Sequence, residues 1–486
     1  MTLLFFLYCF ATAVFLLLEA TFILRDKRIM MIDFCRIIFL IIEGVVPAFF
    51  HGYYVYKGTA YDAKLDYSDY SITLYYYIFV FFIVGYAFIN LGYRIFVKKG
   101  NKLSKNFKEN TYQHDSETLL IHANAYSKLR ITTLVCLLIG AVSLVLWTDA
   151  FGGIWEFILR AGEIRSGRAD IVNPLAFFKH PAGVILIASY AAFVLLLKGT
   201  AVTKLYDFIV WVASFSVSIL YLLAGDGRMV TGMYLITHFF VIVYVNLVKN
   251  KKMSLKSFIL LAVFMVTGIV FMVNMDTFTR YLKHGSDIVV TTSDGSTMDE
   301  IIKELMFVIR GMHVALKTRL TSGLEYLIAD DVMMGIFAWL PSSFTPDGFV
   351  DIWDVNTELL GEVSGQYPFG LLAQGYYDLG IIGVVIIAFV YGGLVRKIDD
   401  YFNKKSNNNP FAVVMFVSLI FTFIRLIAYG SLYNVVLGSF KIVVFAVVYL
   451  VFSAVFDFAA NKKQDNVEEY HGMNKRVYYK KSGWRK

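Results

Sequence analysis

Charge is scarce in this chain: 17% of its 486 residues are Asp, Glu, Lys or Arg and 58% are hydrophobic, against roughly 25% and 45 to 50% in soluble domains. A water-soluble fold cannot hide that much apolar surface. Cysteine is nearly absent as well. Cys9, Cys35 and Cys136 all fall inside apolar runs without paired spacing, which gives no support to a disulfide framework or a thiolate metal site. Proline is confined: five of the seven, Pro174, Pro181, Pro341, Pro346 and Pro368, occur in the segments 149–181 and 276–370, where they signal turn-rich, ordered loops. The chain has no nucleotide-phosphate loop, zinc-protease motif or nucleophile elbow, so ATP hydrolysis, metalloproteolysis and serine hydrolysis lack support and no metal or other cofactor is expected.

What the chain does have is apolar runs long enough to span a hydrocarbon core of roughly 30 Å as helices, which satisfy their own backbone polar groups in lipid. Candidate spans are 2–24, 33–50, 72–96, 129–148, 182–198, 205–224, 229–248, 257–275, 371–395, 410–430 and 434–458. The expected fold is an all-α integral membrane protein, a polytopic bundle of about 11 transmembrane helices. The first run lacks a basic leader and ends at Arg25-Asp26-Lys27-Arg28, which predicts a retained span. If loops alternate sides, one set holds 29 Lys and Arg and the other 13. The positive-inside rule puts the first set in the cytoplasm. The net charge of +8 is then a topology signal and not a nucleic-acid footprint. This divides the chain into spans one to eight (1–275, with outer loop 149–181), a large outer loop (276–370), spans nine to eleven (371–458) and a basic cytoplasmic tail (459–486).

The outer side is rich in arginine: 7 of its 13 basic residues, against 7 of 29 inside. Lysine suffices to anchor a loop beside anionic lipid, whereas the guanidinium fork grips phosphate or pyrophosphate through two bonds. Three outer segments carry the signal. Gly152-Gly153-Ile154-Trp155 through Arg160 to Arg165 and Arg168 reads as a short amphipathic helix at the membrane surface. Gly225-Asp226-Gly227-Arg228 reads as a tight turn holding an arginine at a span start, where charge is costly. Thr297 to Leu320 has a capping-box start and apolar residues at helical spacing, with Lys303, Arg310 and Lys317 on another face. That pattern predicts an amphipathic helix lying in the outer interface, its apolar side in lipid. For each of these residues the alternative is a salt-bridged or headgroup-seeking loop side chain. Glu19, Arg36, Glu43, His238, Arg425 and Lys441 stand in or near spans, where charge is expensive and often functional.

The order of these features resembles that of the bacterial O-antigen and oligosaccharide repeat-unit polymerases, the Wzy class. The ending carries it: Phe337-Ala338-Trp339-Leu340-Pro341, Pro346, Asn356-Thr357, Pro368, then Tyr376-Tyr377-Asp378-Leu379-Gly380-Ile381-Ile382-Gly383 opening a span. The likeness covers most of the chain in architecture but only some thirty residues in motif. It departs from the family at Asp378-Leu379, where members often have asparagine and phenylalanine. The resemblance implies a membrane glycosyltransferase that joins oligosaccharide repeats carried on undecaprenyl pyrophosphate, beside membrane lipid and a chain-length regulator protein. Under it, Arg165, Arg168, Arg228 and Arg310 are candidates for gripping the pyrophosphate, with Asn356 and Tyr376 also on the substrate-binding side. Candidate acid–base residues are His313, Asp226 and Glu358, with Asp330 and Asp331 as further outward carboxylates. A lipid-linked oligosaccharide flippase and an O-antigen ligase are the alternatives.

Overall fold

The computed structural model describes residues 2–26, 30–57, 69–96, 116–161, 164, 173–198, 201–225, 228–248, 306–340, 344, 346–361, 367–405 and 409–482. Among them no strand occurs, and eight helices are long and apolar enough to cross a membrane. The chain is an all-helical, multi-pass membrane protein. The helices are α1 (Thr2–Asp26), α2 (Met31–Leu40) running through a π turn (Ile41–Val45) into α3 (Val46–Lys57), α4 (Asp69–Ile95), α5 (Ser116–Asp149) and the short α6 (Ile154–Leu159). Then follow α7 (Lys179–Ala182), α8 (Val184–Lys198), α9 (Lys204–Gly225) and α10 (Arg228–Val248). The last part contains α11 (Phe307–Ser322), α12 (Ile328–Phe337), α13 (Ile352–Leu359), α14 (Leu371–Lys405), α15 (Pro410–Tyr429) and α16 (Leu432–Ser482).

Burial sorts these helices. Every residue of α8 from Val184 to Leu195 is buried, because α8 is apolar on all sides and stands in the middle of α5, α9, α10 and α15. By contrast α1, α9 and α16 bury only about a quarter of their apolar stretches, as lipid-facing helices do. The expected spans 33–50 and 229–248 are helical as α2–α3 and α10, and 257–275 lies outside the described residues.

At one end of the bundle charge is neutralised internally. Arg36 donates to Asp33 and to Asn90 at 2.6 Å each and pairs with Glu19 at 3.0 Å, while the Tyr86 hydroxyl donates to Glu19 at 2.5 Å. Asp399 accepts the backbone N–H of Met31 at 2.9 Å and so caps the start of α2. The π turn separates Arg36 from Glu43 in environment: Glu43 is buried, its Oε1 has no hydrogen-bond partner, and it faces Gly370 on the opposite side of the core.

At the other end the chain re-enters the bundle. α14 is two helices across a reversal, with Leu379 and Gly380 outside helical geometry and Gly380 at φ +64°. Leu372 packs on Gly85 and Tyr376 on Phe81, so the eight residues Leu371–Asp378 run antiparallel to α4. Past the turn, Phe389 meets Gly92 and Gly393 meets Phe96, so the long half runs parallel to α4. Glycine makes the hairpin possible: a Cβ on Gly375 would stand 2.5 Å from the Gly383 carbonyl oxygen. The reversal strips carbonyls of their helical partners, and Arg319 supplies replacements, donating to Tyr376 O at 3.1 Å and Tyr377 O at 3.0 Å. The expected single span 371–395 is therefore a half-helix, a reversal and a span extending to Lys405.

α11 also differs from the expected surface helix. Its described part starts at Phe307, and Thr297 with its capping box and Lys303 lie outside the described residues. Ile309, Met312 and Leu316 are buried, but so are Arg310 and His313 on the other face. The helix leans into α4, α13 and α14 instead of lying in the interface. An amphipathic pattern states that one face is apolar; it does not state whether lipid or protein covers it.

Candidate functional site

A cavity of about 460 Å³ opens where the last turns of α5, α9 and α15 meet the first turns of α10 and α16. This is the end that the charge asymmetry assigns to the outside, and the volume falls in the range of small-ligand sites. One part of its wall is basic: Lys179 and His180 on α7, Arg425 on α15 and Lys441 on α16. Another part is aromatic, formed by Trp147, Phe157, Tyr221, Trp353, Tyr429 and Tyr433. No Asp or Glu is among the described lining residues.

Local structure explains the arrangement. Arg425 lies one turn before the end of α15, its guanidinium 5.6 Å from the Tyr429 ring centroid, and Gly438 on α16 leaves the room it occupies. Its Nε has no hydrogen-bond partner, and it forms no ion pair among the described residues. Lys179 Nζ stands 5.7 Å from the Trp147 ring and Lys441 Nζ 5.1 Å from Phe421, geometries in which an aromatic face tempers a cation's desolvation. Trp353 is fixed by donating Nε1–H to the Tyr429 carbonyl at 3.1 Å. Between α15 and α16 the chain turns at Gly430 (φ +66°) and Ser431 (φ +65°), the latter a non-glycine residue in left-handed geometry. Asp331 holds that turn by accepting Leu432 N–H at 3.1 Å and Gln374 Nε2–H at 2.7 Å. Burial pushes its carboxyl up to about 6, against the opposing pull of these hydrogen bonds.

Asp351 stands beside this wall as the N-cap of α13, two residues before Trp353. It accepts Trp353 N–H at 3.1 Å, its Oδ2 has no hydrogen-bond partner among the described residues, and its charge acts on the Tyr433 side chain. Burial pushes its carboxyl up to about 7.

The residues singled out by sequence separate into two groups. Arg310, His313, Asn356 and Tyr376 come together, away from the cavity lining, as the joint between α11, α13 and the half-helix. Arg310 lies over Tyr367 at 5.6 Å, and His313 stacks on Tyr75 at 4.8 Å. Asn356, fully buried, donates to Tyr367 O at 2.8 Å and accepts from the Tyr377 hydroxyl at 2.9 Å. Tyr376 is buried against Phe81 and Arg319, and Glu358 is exposed on α13. For the other group only sequence neighbours are described. Ile164, Gly225 and Val230 line the cavity, while Arg165, Arg168, Asp226 and the Arg228 side chain lie outside the described residues. The described cations of the cavity were legible only in part: Arg425 and Lys441 were visible as charges within apolar runs, but Lys179-His180 had no distinguishing pattern.

In comparisons with known proteins the chain matches no family model, no curated protein and no solved structure.

Proposed function

We propose that this protein is a membrane glycosyltransferase that polymerises undecaprenyl-pyrophosphate-linked oligosaccharide repeats at the outer face of the bacterial cytoplasmic membrane. It has eleven spans in this reading, with the N-terminus outside and the basic tail inside. The observation that carries the proposal is the cavity at the outer end of the bundle, in which Lys179, His180, Arg425 and Lys441 form one wall, aromatic rings form another, and no Asp or Glu is among the described lining residues. Converging cations suit a pyrophosphate, and aromatic faces suit the apolar faces of sugar rings.

In the reaction a hydroxyl at the end of one lipid-linked repeat attacks the anomeric carbon of another chain. The new C–O bond forms as the bond to the lipid pyrophosphate breaks, and the hydroxyl proton passes to a base. The leaving group is activated already, so the protein's work is to orient two chains and to stabilise charge growing on the pyrophosphate. Arg425, Lys441, Lys179 and His180 do the latter, joined by Arg228 and Arg165 from the bordering segments. Asp351, with its carboxyl near 7 and one oxygen uncommitted, takes the proton.

Deleting the gene and running surface polysaccharide on a gel tests the function: a polymerase mutant retains a single repeat and loses the ladder. A complete loss of repeats, single unit included, would instead indicate a ligase or a flippase. The flippase reading has one observation of its own, the buried Glu43 on a π turn, whose Oε1 has no hydrogen-bond partner among the described residues, a position suited to proton coupling. Accumulation of lipid-linked repeats on the cytoplasmic side in a Glu43→Gln strain would favour it over polymerisation.

A further inference from the structure

Phe440 precedes Lys441 on α16 and turns toward a different side of the helix. Its ring meets Phe177 at 6.2 Å, Trp339 at 6.0 Å and His180 at 6.3 Å, all edge-on. These partners come from separate stretches of outer chain, and Trp339 is pinned to α16 by donating Nε1–H to the Val436 carbonyl at 2.6 Å. His180 belongs both to this ring cluster and to the cavity wall. On the other side the cluster faces outward, with Phe177 53% and Trp339 39% exposed. Among the described residues, one layer of aromatic rings therefore lies between His180 of the basic cavity wall and the exposed surface of the protein. Directly below Phe440, at three- and four-residue steps along the same face of α16, Val443, Val447 and Val451 are exposed.

A basic chamber, an aromatic seam and an apolar strip arranged in that order match an amphiphile with an anionic head and a long hydrocarbon tail. We propose that the seam at Phe440 is a lateral passage through which the polyprenyl tail of the lipid-linked donor leaves the cavity, the tail then lying along the valine face of α16. This rests on the reading that the cavity holds the donor's pyrophosphate. Aromatic rings in edge contact can part by side-chain rotation while the backbone stays in place. The seam admits the lipid sideways from the bilayer, without lifting the tail into water.

The test replaces Phe440, and separately Val447, with a photoreactive phenylalanine analogue in native membranes labelled in their polyprenyl lipids; Leu17, exposed on α1, is the control position. The full-length protein is also assayed for binding of inorganic pyrophosphate. Several-fold enrichment of polyprenyl lipid at both α16 positions over Leu17 is the expected result. Equal capture at all three positions, or capture of phospholipid alone, overturns the passage. If pyrophosphate still binds in that case, the passage alone is wrong and the cavity reading survives. If pyrophosphate also fails to bind, both are wrong.

Discussion

A guanidinium at the margin of a hydrocarbon layer must find compensation, and among the described residues Arg425 finds the Tyr429 ring and no hydrogen-bond partner for its Nε. Arg425→Lys keeps the charge and loses the fork, so a shortened, weakened polymer ladder is expected, and Arg425→Ala should nearly abolish it at ordinary membrane abundance. A full ladder in the alanine variant removes Arg425 from the site. Asp351 makes a prediction in pH. Its folded-state value of about 7 lies above the unfolded carboxylate range near 3.9. The folded protein keeps a proton that the unfolded chain releases, so this group's contribution to stability declines as pH rises between those two values and is level on either side. Melting in detergent at about pH 5 and about pH 8 should show wild type losing more stability on going up in pH than Asp351→Asn, which retains the cap. Equal losses in the two proteins would show that Asp351 ionises without cost. Activity should move oppositely, rising toward neutral pH as the carboxyl becomes able to accept a proton. These residues also show where sequence reading stops. The cost of charge at Arg425 and Lys441 is written in the apolar runs around them, but their meeting with Lys179 and His180 depends on which helix ends converge. Arg310 is the reverse case: its helical stripe reads as a ligand face, and its guanidinium is buried against the Tyr367 ring of the same chain.

Among the elements, the glycine-rich opening of α14 carries the most information that hydropathy hides. An average over Leu371 to Val395 reports how apolar the chain is and says nothing about its direction, so a reversal after eight residues is invisible to it. The clue was Gly375, Gly380 and Gly383, two of which allow backbones to touch while the third adopts φ +64°. A side chain at Gly383 must displace the half-helix, and overpacking of this kind costs about 1–3 kcal/mol. Gly383→Leu should therefore lower the melting temperature and expose the 367–378 region to protease, whereas Ile382→Leu, on an exposed position one residue away, should do neither. Arg319→Ala leaves the Tyr376 carbonyl without that donor, at about 1–3 kcal/mol for a buried acceptor left unmet, while the Tyr377 carbonyl keeps the Leu327 N–H at 3.1 Å. Melting and surface abundance measure this too. An unchanged Arg319→Ala protein would mean that water replaces the guanidinium.

The whole molecule was the most legible level, because bilayer thickness and backbone hydrogen bonding leave few options for a chain this apolar. Span positions agree with the helices to within a few residues at α4, α8, α9 and α15, where apolar runs have sharp polar limits. Orientation rests on the distribution of 29 and 13 basic residues. A reporter active only outside, fused within 285–297, should be active and one after Lys463 silent; the opposite pattern inverts the molecule and moves the cavity to the cytoplasmic face. The half-helix Leu371–Asp378 bears on biogenesis. At 1.5 Å per residue it is about 12 Å long, under half the hydrocarbon core, too short for the insertion machinery to recognise as a membrane segment. Its place in the bundle depends on protein surfaces, those of α4 and α11, and on the long half of α14 against which it turns back. A nascent chain halted before α14 emerges would then leave uncovered the part of α11 that packs on α14, while α4 and α13 cover the rest.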